Sequence, residues 1–239
     1  MKTAEKISQQ IASMPDGNTF TYESLPIERN EYAAATKAME RLIKSGVISR
    51  AAAGLFYKPK KTVFGNLMPE EQDLLKPYLF AGGKRVAYIT GNLLYNQMGL
   101  TTQVPKNVKV ASRDRRLETS IGRMKVTSVK SKVDISEENY RYLEILDALK
   151  DLKTIPDVNI NSALKLLKAR ITELGDNELL GKLALTYPPR VRALTGALME
   201  LIGERKATEF LKQSLNPLSR YQIGLNEDHL PTLKNWNID

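Results

Sequence analysis

The chain has 239 residues and carries 36 basic against 27 acidic ones, which gives a formal net charge of +9 and a pI of about 9.5. It has no cysteine and a single histidine, His229, so disulfides, cysteine-ligated zinc and metal sites built from several histidines are excluded. A basic balance of this kind is typical of proteins that bind nucleic acid, although it says nothing about the fold.

Two long helices with a short helix between them are predicted for the first 45 residues. Apolar residues at helical spacing indicate a first helix over residues 3–14, and Thr21 can cap a short helix that Pro26 ends. A second long helix runs from about residue 30 to residue 44 and ends at the Ser-Gly pair that follows. Its predicted core face consists of Tyr32, Ala35, Met39, Leu42 and Ile43.

The opposite face of this second helix is basic and contains small residues. Three cations, an amide and two alanines share it, namely Asn30, Ala33, Ala34, Lys37, Arg41 and Lys44. The following segments "VISR" and "LFYK" alternate like two strands around a turn at "AAG". The cations on or beside this predicted hairpin are Arg50, Lys58, Lys60 and Lys61.

This order of elements predicts a winged helix-turn-helix DNA-binding domain over residues 1–65. A helix has the right width to enter the major groove, and lysines and arginines on a flanking hairpin can neutralise phosphates. The alternative is a small helical unit whose basic face is merely solvated.

Residues 66–135 combine helix and strand patterns and predict an α+β middle domain. The stretch "TVFGNLMP" looks like a linker, and "PEEQDLLKPYLF" predicts a helix with acidic residues in its first turn. The glycine pair at 82 and 83 indicates a turn, and "AYITGNLLYNQMGL" predicts a strand and then a helix with Thr90 as N-cap. Alternation predicts strands over 108–112 and 123–133.

Helical periodicity dominates from residue 136 onward. Five apolar-periodic stretches predict helices, namely "ENYRYLEILDALKDL", "SALKLLKARITELG", "NELLGKLALTY", "PPRVRALTGALMELIG" and "ERKATEFLKQSL". Residues 216–239 should be irregular. The predicted fold class is therefore α+β, with a helical C-terminal region over 136–239.

A second basic stretch lies in the middle segment. Residues 106–132 contain nine basic residues against two acidic ones, Asp114 and Glu118. We predict a second nucleic-acid surface from Lys109, Arg113, Arg115, Arg116, Arg123 and Lys125. Its densest part, "SRDRR", lacks apolar alternation and should be a loop that follows phosphates without reading bases. A charged loop that binds nothing and a surface for an acidic partner protein are the alternatives.

No pattern of a catalytic or nucleotide-binding motif occurs in the sequence. It lacks a P-loop, a dinucleotide-binding glycine fingerprint and a Gly-x-Ser-x-Gly elbow. We therefore expect no enzymatic activity, no catalytic residue, no cofactor and no metal ion. Neither a run of 18 apolar residues nor the apolar core of a signal peptide is present, so we expect a cytoplasmic protein with no membrane partner.

Four stretches of the chain carry a family resemblance. They are "GNTFTYESL", "AMERLIKSGVISRAAAGLFYKPKKTVFGNLMP", "AYITGNLLYNQMGLTTQVPKNVKVAS" and "LEILDALKDLKTIPD". Together they resemble the AbiEi-like antitoxins of bacterial type IV toxin–antitoxin systems, in the subgroup with an N-terminal winged helix. The block "ITGNLLYNQMGLTTQVP" is the most specific part of a likeness that covers roughly residues 5–155.

The resemblance implies a function that composition does not show. Such a protein would bind inverted repeats in the double-stranded DNA of its own promoter and repress its operon. It would counteract a toxin that resembles a nucleotidyltransferase, without needing a stable complex with it. On that pattern Asn30, Lys37, Arg41 and Arg50 would contact DNA.

Two other functions fit the same sequence. One is a stand-alone transcriptional regulator without a toxin, in which the C-terminal helices dimerise or bind a ligand. The other is an RNA-binding or nucleic-acid-processing protein that uses residues 106–132 as its platform. A neighbouring gene for a nucleotidyltransferase-like protein would favour the antitoxin. The RNA platform is disfavoured because residues 106–132 contain no aromatic residue on which a base could stack.

Overall fold

Helices and strands are mixed throughout this protein. The computed structural model describes residues 2–63, 65–204 and 206–239. Helices make up 44% and strands 18% of the chain, so the predicted α+β class is confirmed.

The chain folds into two compact units, each built from two separate stretches of sequence. The first unit comprises the stretch up to Val86 together with Leu117–Thr127, and the second comprises Ala87–Arg116 and Ser128–Asp239. The region predicted as a middle domain, residues 66–135, contributes segments to both units. The division into three domains at residues 65 and 135 stays a prediction.

The first unit begins with alternating helices and short strands. Its elements up to Val86 are α1 (Thr3–Ser13), β1 (Thr19–Thr21), α2 (Tyr32–Lys44), β2 (Ser49–Ala52), β3 (Leu55–Tyr57), β4 (Lys60–Thr62), β5 (Gly65–Leu67), α3 (Glu71–Leu79), β6 (Phe80–Ala81) and β7 (Lys84–Arg85). Two 3-10 turns, Tyr22–Ser24 and Arg29–Glu31, lie between β1 and α2.

A three-stranded antiparallel sheet packs against helices α1 and α2. Its order is β1-β3-β2, and Phe56 of β3 lies opposite Phe20 of β1 and Arg50 of β2. The rings of Phe20 and Phe56 lie 5.9 Å apart between centroids. Ile7 of α1 and Met39 of α2 are fully buried in the same apolar core. Alternation within β1 and β3 therefore places one aromatic face against the two helices.

The core face predicted for α2 is partly wrong. The helix begins at Tyr32, and the Tyr32 side chain is 49% exposed, with its ring 5.1 Å from that of Tyr22. Ala38 is buried in its place, beside Ala35 and Met39. Tyr32 stands in the first turn, and its ring packs on the outer side of the core against Tyr22, which is half-buried and contacts Phe56.

The linker predicted at residues 62–69 is also wrong. Strands β4 and β5 pair there as an antiparallel hairpin, with Lys60 opposite Leu67 and Thr62 opposite Gly65. Each strand has three residues, which is too short for alternation to indicate it in the sequence. The next hairpin, β6 with β7, turns at Gly82 and Gly83 with φ of 55° and 77°, and glycine adopts such values without a steric penalty.

The second unit joins short strands to a group of helices. After β8 (Ala87–Thr90), α4 (Asn92–Gln97) and β9 (Asn107–Ser112), the chain returns to the first unit for β10 (Glu118–Ile121) and the start of β11 (Met124–Lys130). The helices that follow are α5 (Tyr140–Asp151), α6 (Ile160–Leu174), α7 (Asn177–Ala184), α8 (Pro189–Leu201) and α9 (Lys206–Gln213).

Strand pairing in this part of the chain is antiparallel. Ile89 of β8 lies opposite Val110 of β9, and Thr119 of β10 lies opposite Val126 of β11. Val108 and Val110 are buried while Lys109 between them is exposed, as alternation predicts. Strand β10 was not predicted.

Helices α5 and α8 form the core of the second unit. Val191 and the seven residues Ala193–Met199 of α8 are buried, which is typical of a helix enclosed on all sides. The C-terminal segment, predicted as irregular, contains the 3-10 helix Leu233–Trp236. Trp236 lies against Gly196 of α8, and its indole N–H donates to Glu200 at 2.6 Å. The amide of Tyr221 bonds the carbonyl of Asn237 at 2.8 Å, so the segment folds back on itself.

Replacing Gly196 by alanine should destabilise the second unit. A Cβ at this position would lie 2.1 Å from the Trp236 ring. Alanine is the better helix former by about 1 kcal/mol, but overpacking a core costs about 1–3 kcal/mol or more, so the clash decides the sign. Thermal unfolding followed by circular dichroism should show a lower Tm.

A double-mutant cycle tests the cause of that loss. Trp236→Leu removes the ring that the new methyl group meets, so Gly196→Ala should cost less in that background than in the natural chain. Strictly additive losses would show that the Trp236 contact is not responsible.

Candidate nucleic-acid interface

The basic face of α2 is exposed to solvent. Ala33, Ala34, Lys37, Arg41 and Lys44 all lie on the surface of the helix, opposite buried Ala35 and Met39. Spacings of three and four residues align them along the helix, and the small alanines permit another molecule to approach the backbone closely. Asn30 is exposed in the 3-10 turn that leads into the helix.

The cations of this face are not neutralised by the protein. Within the described ranges, none of Lys37, Arg41 and Lys44 has a carboxylate within 4 Å. Glu40 is exposed on the same helix and forms no ion pair with them in that part of the chain. The face therefore presents three positive charges that are available to a polyanion.

The start of α2 is fixed to α1 through Glu31. Its carboxylate accepts hydrogen bonds from the Glu28 backbone N–H at 3.0 Å and from the Thr3 hydroxyl at 2.8 Å, and Lys6 lies 3.7 Å away. These contacts, the backbone bond foremost, hold the pKa of Glu31 below its usual value. The orientation of α2 is thus set at its first turn as well as by its core face.

The hairpin of β2 and β3 carries one exposed arginine. Arg50 lies on β2 beside a β-bulge, and its Nε donates to the carbonyl of Ala52 at 3.2 Å. The turn contains Ala53 and Gly54, the latter with φ of 73°. The tip is therefore short and apolar, and Arg50 is the cation that this hairpin itself contributes.

Lys58 has a structural position, unlike the other lysines predicted near the hairpin. Its ammonium group donates to the carbonyls of Ala12 at 3.2 Å and Met14 at 2.7 Å, and it pairs with Asp16 at 3.4 Å. Those carbonyls belong to the C-terminal end of α1, where a cation is favourable. Lys58 is thereby engaged inside the first unit.

Lys60 and Lys61 lie on the neighbouring hairpin of β4 and β5. Both are exposed, on opposite faces of a strand in which every residue is exposed. The hairpin also exposes apolar side chains, with Val63 at 94% and Leu67 at 57%. This combination of free charge and exposed apolar surface was not predicted.

The second basic surface is divided between the two units. Lys109, Arg113, Arg115 and Arg116 belong to the second unit, whereas Arg123 and Lys125 belong to the first. Arg113 pairs with Asp134 at 3.3 Å, and Lys125 pairs with Glu118 at 3.1 Å, both on the surface. Arg113 and Arg116 are exposed and Arg115 is half-buried, in the segment that follows β9, as the predicted loop requires.

In the described part of the chain, no group of three or more histidine, cysteine, aspartate or glutamate residues is placed to hold a metal ion. No helix in these ranges is long and apolar enough to cross a membrane.

Comparisons with known proteins identify a family. The model of a family described as "Family of unknown function (DUF6088)" matches residues 6–174. The chain belongs to this family. Its structure is similar to that of the RV2827C protein from Mycobacterium tuberculosis, with a TM-score of 0.53 and 12% identity over 92% of this chain and 84% of that one. At such low identity the likeness shows a shared fold alone. No curated protein matches the chain in sequence.

Replacing Lys58 by methionine should destabilise the first unit by about 1–2 kcal/mol, because two carbonyls at the end of α1 lose a charged donor. Urea unfolding of the whole chain measures the loss. Lys60→Met is the matched control, since Lys60 is exposed and should change stability by less than about 0.5 kcal/mol. Equal losses in the two variants would contradict the structural position assigned to Lys58.

Proposed function

We propose that this protein binds double-stranded DNA through α2 and the β2–β3 hairpin. The observation that carries the proposal is the exposed face of α2, where Lys37, Arg41 and Lys44 lie without acidic partners among the described residues beside Ala33 and Ala34. Charges in this arrangement suit phosphates, and the small residues permit close approach to a groove.

The order of elements supports a winged helix-turn-helix. Helix α1, strand β1, the 3-10 turns, α2 and the β2–β3 hairpin follow one another, with the sheet order β1-β3-β2. In this proposal α2 is the recognition helix that enters the major groove, and the hairpin is the wing that lies on the adjacent backbone. Arg50 is the phosphate contact of the wing. The turn of the wing is apolar and therefore makes few contacts in the minor groove.

Roles within the interface follow from side-chain chemistry. Lys37, Arg41, Lys44, Lys60 and Lys61 position the protein on phosphates and give affinity without sequence preference. Asn30 is an amide that can both donate to and accept from a base edge, so it is the candidate for sequence reading. Ala34 admits the helix into the groove. Lys58 contributes mainly to stability.

We further propose that the bound DNA is the protein's own promoter, where it acts as autorepressor and antitoxin against a nucleotidyltransferase-like toxin. The support is the resemblance of the quoted motifs to AbiEi-like antitoxins. In the most specific block, Leu94, Tyr95, Met98 and Leu100 are buried core residues. That block therefore supports a common fold, and the DNA-binding part of the proposal rests on α2. The proposal places the protein in the cytoplasm and gives it no catalytic role.

Changing Lys37 and Arg41 together to alanine should weaken binding to promoter DNA. Each lost phosphate contact should flatten the dependence of log K on log salt concentration by about one, so the double variant should lose a slope of about two. Titrations of labelled promoter fragments at several salt concentrations provide the measurement.

A matched control separates this effect from a general loss of charge. Lys165→Ala with Lys168→Ala removes two cations from α6 in the second unit and should leave both affinity and slope nearly unchanged. If the α2 variant behaves like this control, α2 is not the DNA-binding element.

Changing Arg113, Arg115 and Arg116 together to glutamine should weaken binding to promoter and random DNA by similar factors. Three charges on a loop follow a phosphate backbone without reading bases. The control is Lys165→Gln, Lys168→Gln and Lys182→Gln, in which Lys182 is ion-paired with Glu178 at 2.6 Å, much as Arg113 is with Asp134. Unchanged affinity for both DNAs at low salt would show that this loop is not a DNA surface.

A further inference from the structure

A cavity of about 200 Å³ lies beside the buried carboxylate of Asp147 in the second unit. Asp147 and the phenols of Tyr88 and Tyr187 line it, together with three lysines, Lys130, Lys132 and Lys150. The DNA-binding proposal uses none of these groups. Their arrangement combines a polar cluster, apolar walls and a set of cations, which is the composition of a small-molecule site.

The hydrogen bonds of Asp147 are already taken by the protein. Its Oδ2 accepts from Tyr88 at 3.0 Å and from Thr90 at 2.5 Å, and its Oδ1 accepts from Lys150 at 2.9 Å and from Tyr187 at 3.1 Å. Four donors fill the lone-pair sites of a carboxylate. Asp147 therefore fixes the direction of its neighbours' hydrogen bonds.

The two phenols are donors to Asp147 and remain protonated. Burial, with the nearby Asp147 charge second, raises the pKa of Tyr88 and of Tyr187 well above the usual value. The two phenols are also within hydrogen-bond reach of each other, and a phenol oxygen that donates its proton to Asp147 has two lone pairs, so one stays for a further bond. This wall of the cavity therefore favours a ligand that brings N–H donors.

The lysines of the lining favour the opposite kind of ligand group, namely an anion. Lys130 and Lys132 are exposed and have no acidic partner within the described ranges. Lys150 uses one of its three donors on Asp147. Lys150 also pairs with Asp151 at 3.9 Å, so its charge is already met by the protein. An anionic group is therefore the natural partner of Lys130 and Lys132.

Apolar side chains form most of the rest of the lining. Ala111, Val133 and Leu143 line the cavity between the strands and α5. Sites that enclose a whole drug-sized ligand measure roughly 300–1,000 Å³, so this smaller cavity suits a planar ring whose charged group stays at the mouth.

We propose that this cavity binds a nucleotide, with an amino-bearing base among the apolar residues and its phosphate on the lysines. The base N–H groups donate to the phenol oxygens of Tyr88 and Tyr187, which Asp147 holds in place. The phosphate bonds Lys132 and Lys130 at the surface. This site lies wholly within the second unit and is independent of the proposed DNA-binding face.

Calorimetric titration of the whole chain with AMP tests the proposal. We expect a Kd below about 1 mM. Purine riboside 5′-monophosphate lacks the amino group and should bind about tenfold more weakly, because a phenol acceptor loses its donor. Adenosine and inorganic phosphate should each bind at least about tenfold more weakly than AMP, since each lacks one half of the ligand.

Variants of the lining locate the site. Tyr187→Phe keeps the ring and removes the acceptor, and Lys132→Gln removes a surface charge, so each should weaken AMP binding about threefold to tenfold. Lys165→Gln, a matched charge change on α6, should leave it unchanged. The Lys37→Ala and Arg41→Ala double variant should also bind AMP normally, which separates this proposal from that for DNA.

Three results would overturn the proposal. They are no AMP binding up to about 10 mM, equal affinity of AMP for the natural chain and for both lining variants, and inorganic phosphate binding as tightly as AMP. The last would show an anion site without a base pocket. Thermal unfolding of each variant verifies that a loss of binding is not a loss of folding.

Discussion

The buried carboxylate of Asp147 is the constraint on which the second unit depends. The residue is 5% exposed, and a charge at such a position costs several kcal/mol unless donors surround it. Tyr88 and Thr90 come from β8, Lys150 from the next turn of α5, and Tyr187 from the segment before α8. These elements must therefore keep one arrangement, because displacing any of them would leave part of the charge unsatisfied.

Helix α4 is tied to the same point by the side chain of Tyr95. The hydroxyl of Tyr95 bonds the carbonyl of Asp147 at 3.1 Å and the carboxylate of Asp151 at 2.7 Å. Thr90, which the sequence indicated as the N-cap of α4, bonds Asp147 instead, and Gly91 takes the cap position with φ of 71°. The Thr90 hydroxyl thus satisfies a buried carboxylate and does not cap the helix.

The first unit is stabilised differently. Its core consists of aliphatic and aromatic groups such as Ile7, Phe20 and Phe56, whereas buried polar residues such as Asp147 and Thr195 lie in the second unit. The described charged side chains of the first unit lie at or near the surface. One of them, Lys58, bonds the carbonyls at the end of α1. The exposed face of α2 takes no part in this core.

Sequence patterns predicted the helices and faces that follow from periodic spacing of residues. They missed the side-chain roles that depend on contacts between residues distant in sequence. The long helices were indicated by apolar spacing, and the exposed cations of α2 followed from the same spacing. Lys58 was grouped with the surface cations, because nothing in "FYKPKK" indicates that its ammonium group reaches the carbonyls of Ala12 and Met14. Asp147 was missed because its partners lie 40 to 59 residues away in sequence, apart from Lys150.

The positive charges on the exposed face of α2 repel one another in the free protein. Lys37 and Arg41 are four residues apart, and Arg41 and Lys44 three apart, so like charges face each other at a cost of about 0.2–0.5 kcal/mol for each pair. Glu40, which is three residues from Lys37 and four from Lys44, offsets part of this repulsion. Burial of Ala35, Ala38 and Met39 offsets the repulsion in the free protein. A bound polyanion would turn that repulsion into attraction, so the arrangement favours the complex over the free helix.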